Sequence, residues 1–240
     1  FTYRHLPMLS LNAAEFDFPH QPHPLFQFVG PMVNVGRVEI AQTDDSTAQD
    51  RLEALFARRQ AGESEALIFC AFGAFYRGDD TAFWQRIIAA FADRPEWDVV
   101  LGLGGRIDPA TLGQLPAQVH AFGWVPQLRV LSHADCAIIH GGITSMNECI
   151  QLGVPMLIYP FDVTDQHGST ARAVYHGTAV VGDRRHDDGP TIRGHIERIL
   201  ADATFKASVT QMRAHFERYT RDQVAERTIA DLIRQGKNQG

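Results

Sequence analysis

Two patterns of apolar residues alternate along this chain. Short, mostly apolar runs of strand length recur at 66–72 (ALIFCAF), 97–103 (WDVVLGL), 119–124 (VHAFGW), 135–140 (DCAIIH), 155–160 (PMLIYP) and 178–182 (TAVVG). Such runs suit strands buried on both faces, as in a parallel sheet covered by helices. Between them, apolar residues fall at helical spacing. Leu52, Leu55 and Phe56 mark one helix, and Phe83, Trp84, Ile87, Ile88 and Phe91 mark another over about 80–92. One or two turns fit 127–132, and further helices are predicted over 144–152, 165–175 and 191–201. Pro190 stands at a favoured place, near the first turn of the last of these. The alternation predicts an α/β fold: a doubly wound, parallel, six-stranded, Rossmann-like sheet flanked by helices. A final stripe of Phe205, Val209, Met212, Phe216 and Tyr219 predicts a long helix whose plain role is core packing. A second amphipathic piece, 225–233, follows a break near Arg221.

Residues 1–36 break the pattern. Pro7, Pro19, Pro22, Pro24 and Pro31 exclude a long helix there. Leu6–Leu11 and Leu25–Val29 suit short strands, but the plain expectation is a connector draped over the surface. Residues 37–240 then form the domain proper.

Composition narrows the function classes. The 240 residues are 45% hydrophobic and 21% charged, with net charge −6. That is an ordinary globular balance. No basic tract stands out, so nucleic acid is not an expected partner. Cys70, Cys136 and Cys149 lie in apolar segments without C-x-x-C spacing, and read as buried free thiols in a reducing compartment. No apolar run reaches the roughly 18–20 residues of a membrane span. No signal peptide is visible, and the expectation is a cytoplasmic protein, membrane-peripheral only if it handles a lipophilic acceptor. There is no H-E-x-x-H, no zinc-like Cys/His spacing, no D-x-D and no G-x-S-x-G, so no metal, cofactor or nucleophile site is expected. Gly102-Leu-Gly104-Gly105 fails as a dinucleotide fingerprint because Ile107 stands where the third glycine belongs.

The chemistry-bearing residues fall at strand ends, where open parallel sheets bind ligands. Gly73 follows the first main strand, Gly104 the second, Trp124 the third, His140 the fourth, and 162–166 the fifth. At His140 a strand ends, Gly141 and Gly142 turn the chain, and Thr144-Ser145 open a helix. Glycines let backbone approach an anion, and a helix start offers unpaired N–H groups with a positive dipole end. His140 adds a donor. This is diphosphate chemistry. The bland alternative is capping: Ser145-x-x-Glu148 is formally a capping box. Glu148 could instead bridge two ribose hydroxyls, and on the residues alone the two readings weigh equally. Trp124 beside a strand end can stack on a base, or merely pack. Asp165 and Gln166 could fork onto sugar hydroxyls, or Asp165 could merely complement a helix start.

FGWVPQ (122–127), HGGITSMNE (140–148), GVPMLIYP (153–160) and DQHGSTAR (165–172) together resemble the C-terminal signature of UDP-glycosyltransferases of the GT-B fold. The bacterial natural-product and carotenoid enzymes of that family are the nearest in flavour. The likeness covers about residues 25–235, with LFQFVGP (25–31) similar to the family's interdomain linker. The resemblance implies the C-terminal, donor-binding half of an inverting, metal-independent enzyme that moves a hexose from a UDP-sugar to an acceptor hydroxyl. It implies that Trp124 stacks on the base while Val125 and Gln127 read its edge. His140 would hold the diphosphate with the backbone of Gly142, Thr144 and Ser145; Glu148 would hold the ribose; Asp165 and Gln166 would hold the sugar. Gly73 would admit the phosphates or sugar. dTDP is the less expected nucleotide. Ala74 stands where Ser is usual, and Ser169 where Asn is common. The family's acceptor pocket and general base belong to an N-terminal half with no counterpart here, which makes residues 1–36 a linker or remnant of that half. Alone, the chain is expected to bind UDP or UDP-sugar with little transfer. The alternatives are a non-catalytic nucleotide-sugar-binding subunit of a two-chain enzyme, another GT-B enzyme such as an epimerase, or a purely structural domain.

Overall fold

The computed structural model describes residues 6–37, 39, 46–73, 81–161 and 165–237. The expectations for Ala74, for the helix start at Asp80 and for 162–164 lie outside these residues. In chain order come β1 (Met8–Ser10), β2 (Phe26–Phe28), α1 (Ser46–Gln60), β3 (Ala66–Ala71), α2 (Thr81–Ala89), β4 (Trp97–Gly102) and β5 (Val119–Phe122). Then follow α3 (Gln127–Leu131), β6 (Cys136–Ile139), α4 (Ile143–Leu152), β7 (Met156–Ile158), α5 (Gln166–Tyr175), β8 (Ala179–Val181), α6 (Gly189–Ala201), α7 (Ala203–Arg221) and α8 (Val224–Lys237).

The predicted doubly wound sheet is present: six parallel strands in the order β5-β4-β3-β6-β7-β8. The apolar runs are continuous because alternate residues enter two different cores. On one face Leu67, Phe69, Ala71, Ala137 and Ile139 meet α1, α4 and α7 through Phe56, Met146 and Phe216. On the other, Ile68, Cys70, Cys136 and Ile138 meet α2 and α6 through Phe83, Ile87 and Ile196. All six residues of β3 are buried, as are all six of β4. The three cysteines are buried and free, and burial pushes the Cys136 thiol up to about 12.

The chain winds outward from β3 through β4 to β5, then returns to place β6 on the other side of β3. The crevice beyond the carboxyl ends of β3 and β6 is therefore the topological switch point, where open α/β sheets take their ligands.

The described part of residues 1–36 is mostly exposed or half-buried, but it carries two short strands and is pinned at several points. β1 and β2 pair in parallel with Met8 opposite Phe26, and the segment is anchored on the C-terminal helices. Ala13 and Phe16 are fully buried, and the Phe16 ring stacks on His176 at 5.8 Å. The Tyr219 hydroxyl accepts from Ala14 N at 3.0 Å, and Arg172 Nε donates to Asp17 at 2.6 Å. Proline excluded long elements here but did not prevent burial of Ala13, Phe16 and Val29. No described helix is long and apolar enough to cross a membrane.

Candidate functional site: the crevice between β3 and β6

His140 follows β6 and sits at the switch point. Gly141 turns the chain with φ +82°, and Gly142 precedes α4 with extended backbone. The His140 ring lies against both flanking glycines. A Cβ at Gly73 (φ +78°) would stand 3.1 Å from its Cε1, and a Cβ at Gly142 would collide with its Nε2. The opposite contact is Phe161, stacked on the imidazole at 5.9 Å and 18°. Burial lowers the His140 pKa below the ordinary 6.5, against a smaller upward pull from Asp165. Burial thus favours the neutral ring. Its Nδ1 is buried and has no hydrogen-bond partner among the described residues.

Met146 N is the first amide of α4 bonded back along the chain, to Gly142 O at 3.1 Å. The amides of Ile143, Thr144 and Ser145 precede it and have no intrahelical acceptor, which leaves a cluster of donors beside His140. Thr144 is exposed at this helix start.

The helix begins at Ile143 with Gly142 as its N-cap, and that overturns the capping box. Ser145 is the third helical residue, so Glu148 lies beyond reach of the cap amide. Glu148 is instead 1% exposed and fully engaged: Arg37 Nη1 donates to its Oε1 at 2.6 Å, and Gln127 Nε2 donates to its Oε2. Gln127 also reaches Ser145 Oγ at 3.4 Å. This side chain is thus aimed at the carboxylate of Glu148.

Trp124 is half-buried just before α3, and its Nε1 is buried without a partner among the described residues. Val125 is buried against Gly102, where an added Cβ would meet its Cγ2 at 3.0 Å. The Val125 side chain is thus taken up in packing.

Beyond β7, Gln166 is buried and its Oε1 accepts from Phe161 N at 2.8 Å. That bond ties the first turn of α5 to the residue that stacks on His140. Asp165 is exposed at the start of α5 and makes no side-chain capping bond. Next to this corner opens a cleft of about 670 Å³, lined by Arg86, Phe161, His167 and the 182–186 turn. Arg86 holds that turn by donating to the carbonyls of Arg184 and Asp187, each at 2.6 Å.

Three groupings result: His140 with Gly73, Gly142 and the α4 amides; Glu148 with Gln127 and Ser145; and Gln166 with Phe161. Sequence reasoning missed Arg37 and Glu39, which lie between β2 and α1. Glu39 accepts from Arg37 Nη2 and from Leu128 N, each at 2.8 Å. Nothing local in the sequence links Arg37 to a carboxylate 111 positions away.

Known proteins carry the same elements. Residues 88–230 match the family described as erythromycin biosynthesis protein CIII-like, C-terminal domain. Over 120 residues the chain is 34% identical to the oleandomycin glycosyltransferase of Streptomyces antibioticus, covering 50% of this chain and 27% of that protein. The fold superposes on the crystal structure of CalG4, the calicheamicin glycosyltransferase, with a TM-score of 0.73 and 26% identity, covering 94% of this chain and 52% of that one. It also superposes on the spinosyn rhamnosyltransferase SpnG complexed with thymidine diphosphate, with a TM-score of 0.66 and 19% identity, covering 87% of this chain and 52% of that one. The chain thus spans about half the length of these two solved structures.

Proposed function

The chain belongs to the erythromycin biosynthesis protein CIII-like C-terminal domain family, and on that premise we propose that it holds the nucleotide-sugar donor of a glycosyltransferase. The observation that carries this reading is the His140 corner. An imidazole that burial biases toward its neutral form and three helix amides without intrahelical acceptors lie at the switch point, where Gly73 and Gly142 leave room for the imidazole between them. This is a diphosphate cradle, with donors pre-aimed at a group that gains negative charge as the glycosidic bond to the sugar breaks.

The other roles go to groups on the neighbouring elements of the same sheet edge. Glu148, on the same helix about a turn and a half from its start, accepts from the ribose hydroxyls, oriented by Gln127. Trp124 stacks on the base, with the Val125 backbone at its edge. Asp165 and the amide nitrogen of Gln166 meet the sugar, which extends toward the cleft beside Phe161. UDP is the nucleotide we assign and a hexose the sugar. dTDP is the competitor, as the thymidine diphosphate complex of SpnG makes it worth testing. Transfer is inverting and needs no metal. The general base and acceptor pocket come from a partner half that meets this face, so the chain by itself binds donor with little transfer.

Calorimetric titration of the chain with UDP and with dTDP tests this. We expect sub-millimolar binding of UDP, weaker binding of dTDP, and about tenfold loss of UDP affinity in Glu148→Ala, a change of about 1.4 kcal/mol. Absence of binding by both nucleotides at millimolar concentration would sink the reading.

A further inference from the structure

The side chain of Glu148 is 1% exposed, whereas that of its partner Arg37 is 39% exposed. The partly exposed Arg37 side chain donates to this buried carboxylate and is one of the groups that cover it. Both carboxylate oxygens are taken, one by Arg37 and the other by Gln127. A ribose hydroxyl arriving from solvent cannot reach a carboxylate covered in this way.

The arrangement has a physical cause. A buried carboxylate without a counter-charge is costly, so a nearby cation is drawn to it when no ligand is present. Arg37 is kept within reach by Glu39. That carboxylate accepts from Arg37 Nη2 with one oxygen and from Leu128 N, at the start of α3, with the other. Arg37 can therefore release Glu148 and still keep one ionic partner. A ribose diol can then supply Glu148 with the two hydrogen bonds that replace the guanidinium.

We propose that Arg37 is a built-in competitor of the ribose hydroxyls: it takes the Glu148 carboxylate that they would bond, neutralises it, and leaves it when a nucleoside diphosphate binds. The proposal rests on the donor-site reading, in which Glu148 receives the ribose. It makes Arg37 a determinant of affinity whose removal strengthens binding, the opposite of what a cationic phosphate ligand would do. The effect is confined to nucleotides with ribose hydroxyls, because only these require Glu148 to be uncovered.

The experiment compares UDP with 2′,3′-dideoxyuridine diphosphate on the wild-type chain, Arg37→Met and Arg37→Ala. Circular dichroism and thermal melting verify that each variant is folded. Both variants are expected to bind UDP about three- to tenfold tighter than wild type, with affinity for the dideoxy nucleotide unchanged. Unchanged or weaker UDP binding in the folded variants would overturn the proposal, as would equal tightening of both nucleotides. A measurement on the wild-type chain alone keeps the idea testable should neither variant fold. Salt weakens a partly exposed ion pair, so the ratio of UDP affinity to dideoxy affinity should rise between about 50 and 500 mM salt. A flat or falling ratio counts against Arg37 as competitor. Failure of the wild-type chain to bind either UDP or dTDP would instead remove the donor-site reading itself.

Discussion

The imidazole of His140 rests against the bare Cα of Gly73, close enough that a methyl group there would stand 3.1 Å from Cε1. β3 and β6, distant in sequence, pair side by side in the sheet, and that pairing brings the two residues to one crevice. Gly73 also has φ +78°, a conformation that side chains rarely adopt.

Gly73→Ala combines both penalties. It should cost about 1 kcal/mol of stability from the backbone alone. It should also push His140 out of place and lower UDP affinity about tenfold. Thermal denaturation and calorimetry read the two effects separately. A destabilised variant with full affinity would show that the glycine serves the turn and not the site.

His140 sets a pH dependence. Burial holds its folded pKa below 6.5, so the folded chain resists protonation that the unfolded chain accepts. By linkage this group costs stability as pH falls through 6.5 toward the lower folded value, and costs nothing above 6.5. A bound diphosphate reverses the preference by favouring the imidazolium. UDP binding to the wild-type chain should therefore take up protons near pH 6, measurable by calorimetry in buffers of different ionisation heat. His140→Gln should lack that uptake. Equal uptake in both would assign the proton to the nucleotide alone.

Trp124 is half-buried, and its indole N–H has no partner among the described residues. If its face receives the base, Trp124→Ala should weaken uridine and UDP alike, each by about tenfold, the scale of one base-stacking contact. Weakening of UDP with uridine unaffected would leave the indole a packing residue.

Gln166 joins the sugar corner to the phosphate corner through its bond to Phe161 N. Gln166→Leu leaves that amide without its acceptor and should destabilise the chain by about 1–2 kcal/mol. It should also erase any preference for UDP-sugar over UDP, while UDP alone binds nearly as before. A variant that keeps the preference would remove Gln166 from the sugar contact.

The order of helices and strands was legible in the chain because its cause is local. β3, β4 and the other strands read as apolar runs since each is buried on both faces, and α2 and α7 show their inward stripes at helical spacing. The residues at the strand ends were legible for the same reason: a ligand crevice at the carboxyl edge follows once the sheet is parallel. Tertiary structure decided the rest. It placed β6 beside β3, which makes Gly73 and His140 neighbours. It began α4 at Ile143, so the motif Ser145-x-x-Glu148, formally a capping box, caps nothing. It buried Phe16 among helices that follow it by about two hundred positions. And it set Arg37 over Glu148, because a carboxylate removed from water takes its counter-charge from whatever segment the fold brings near, at any distance along the chain.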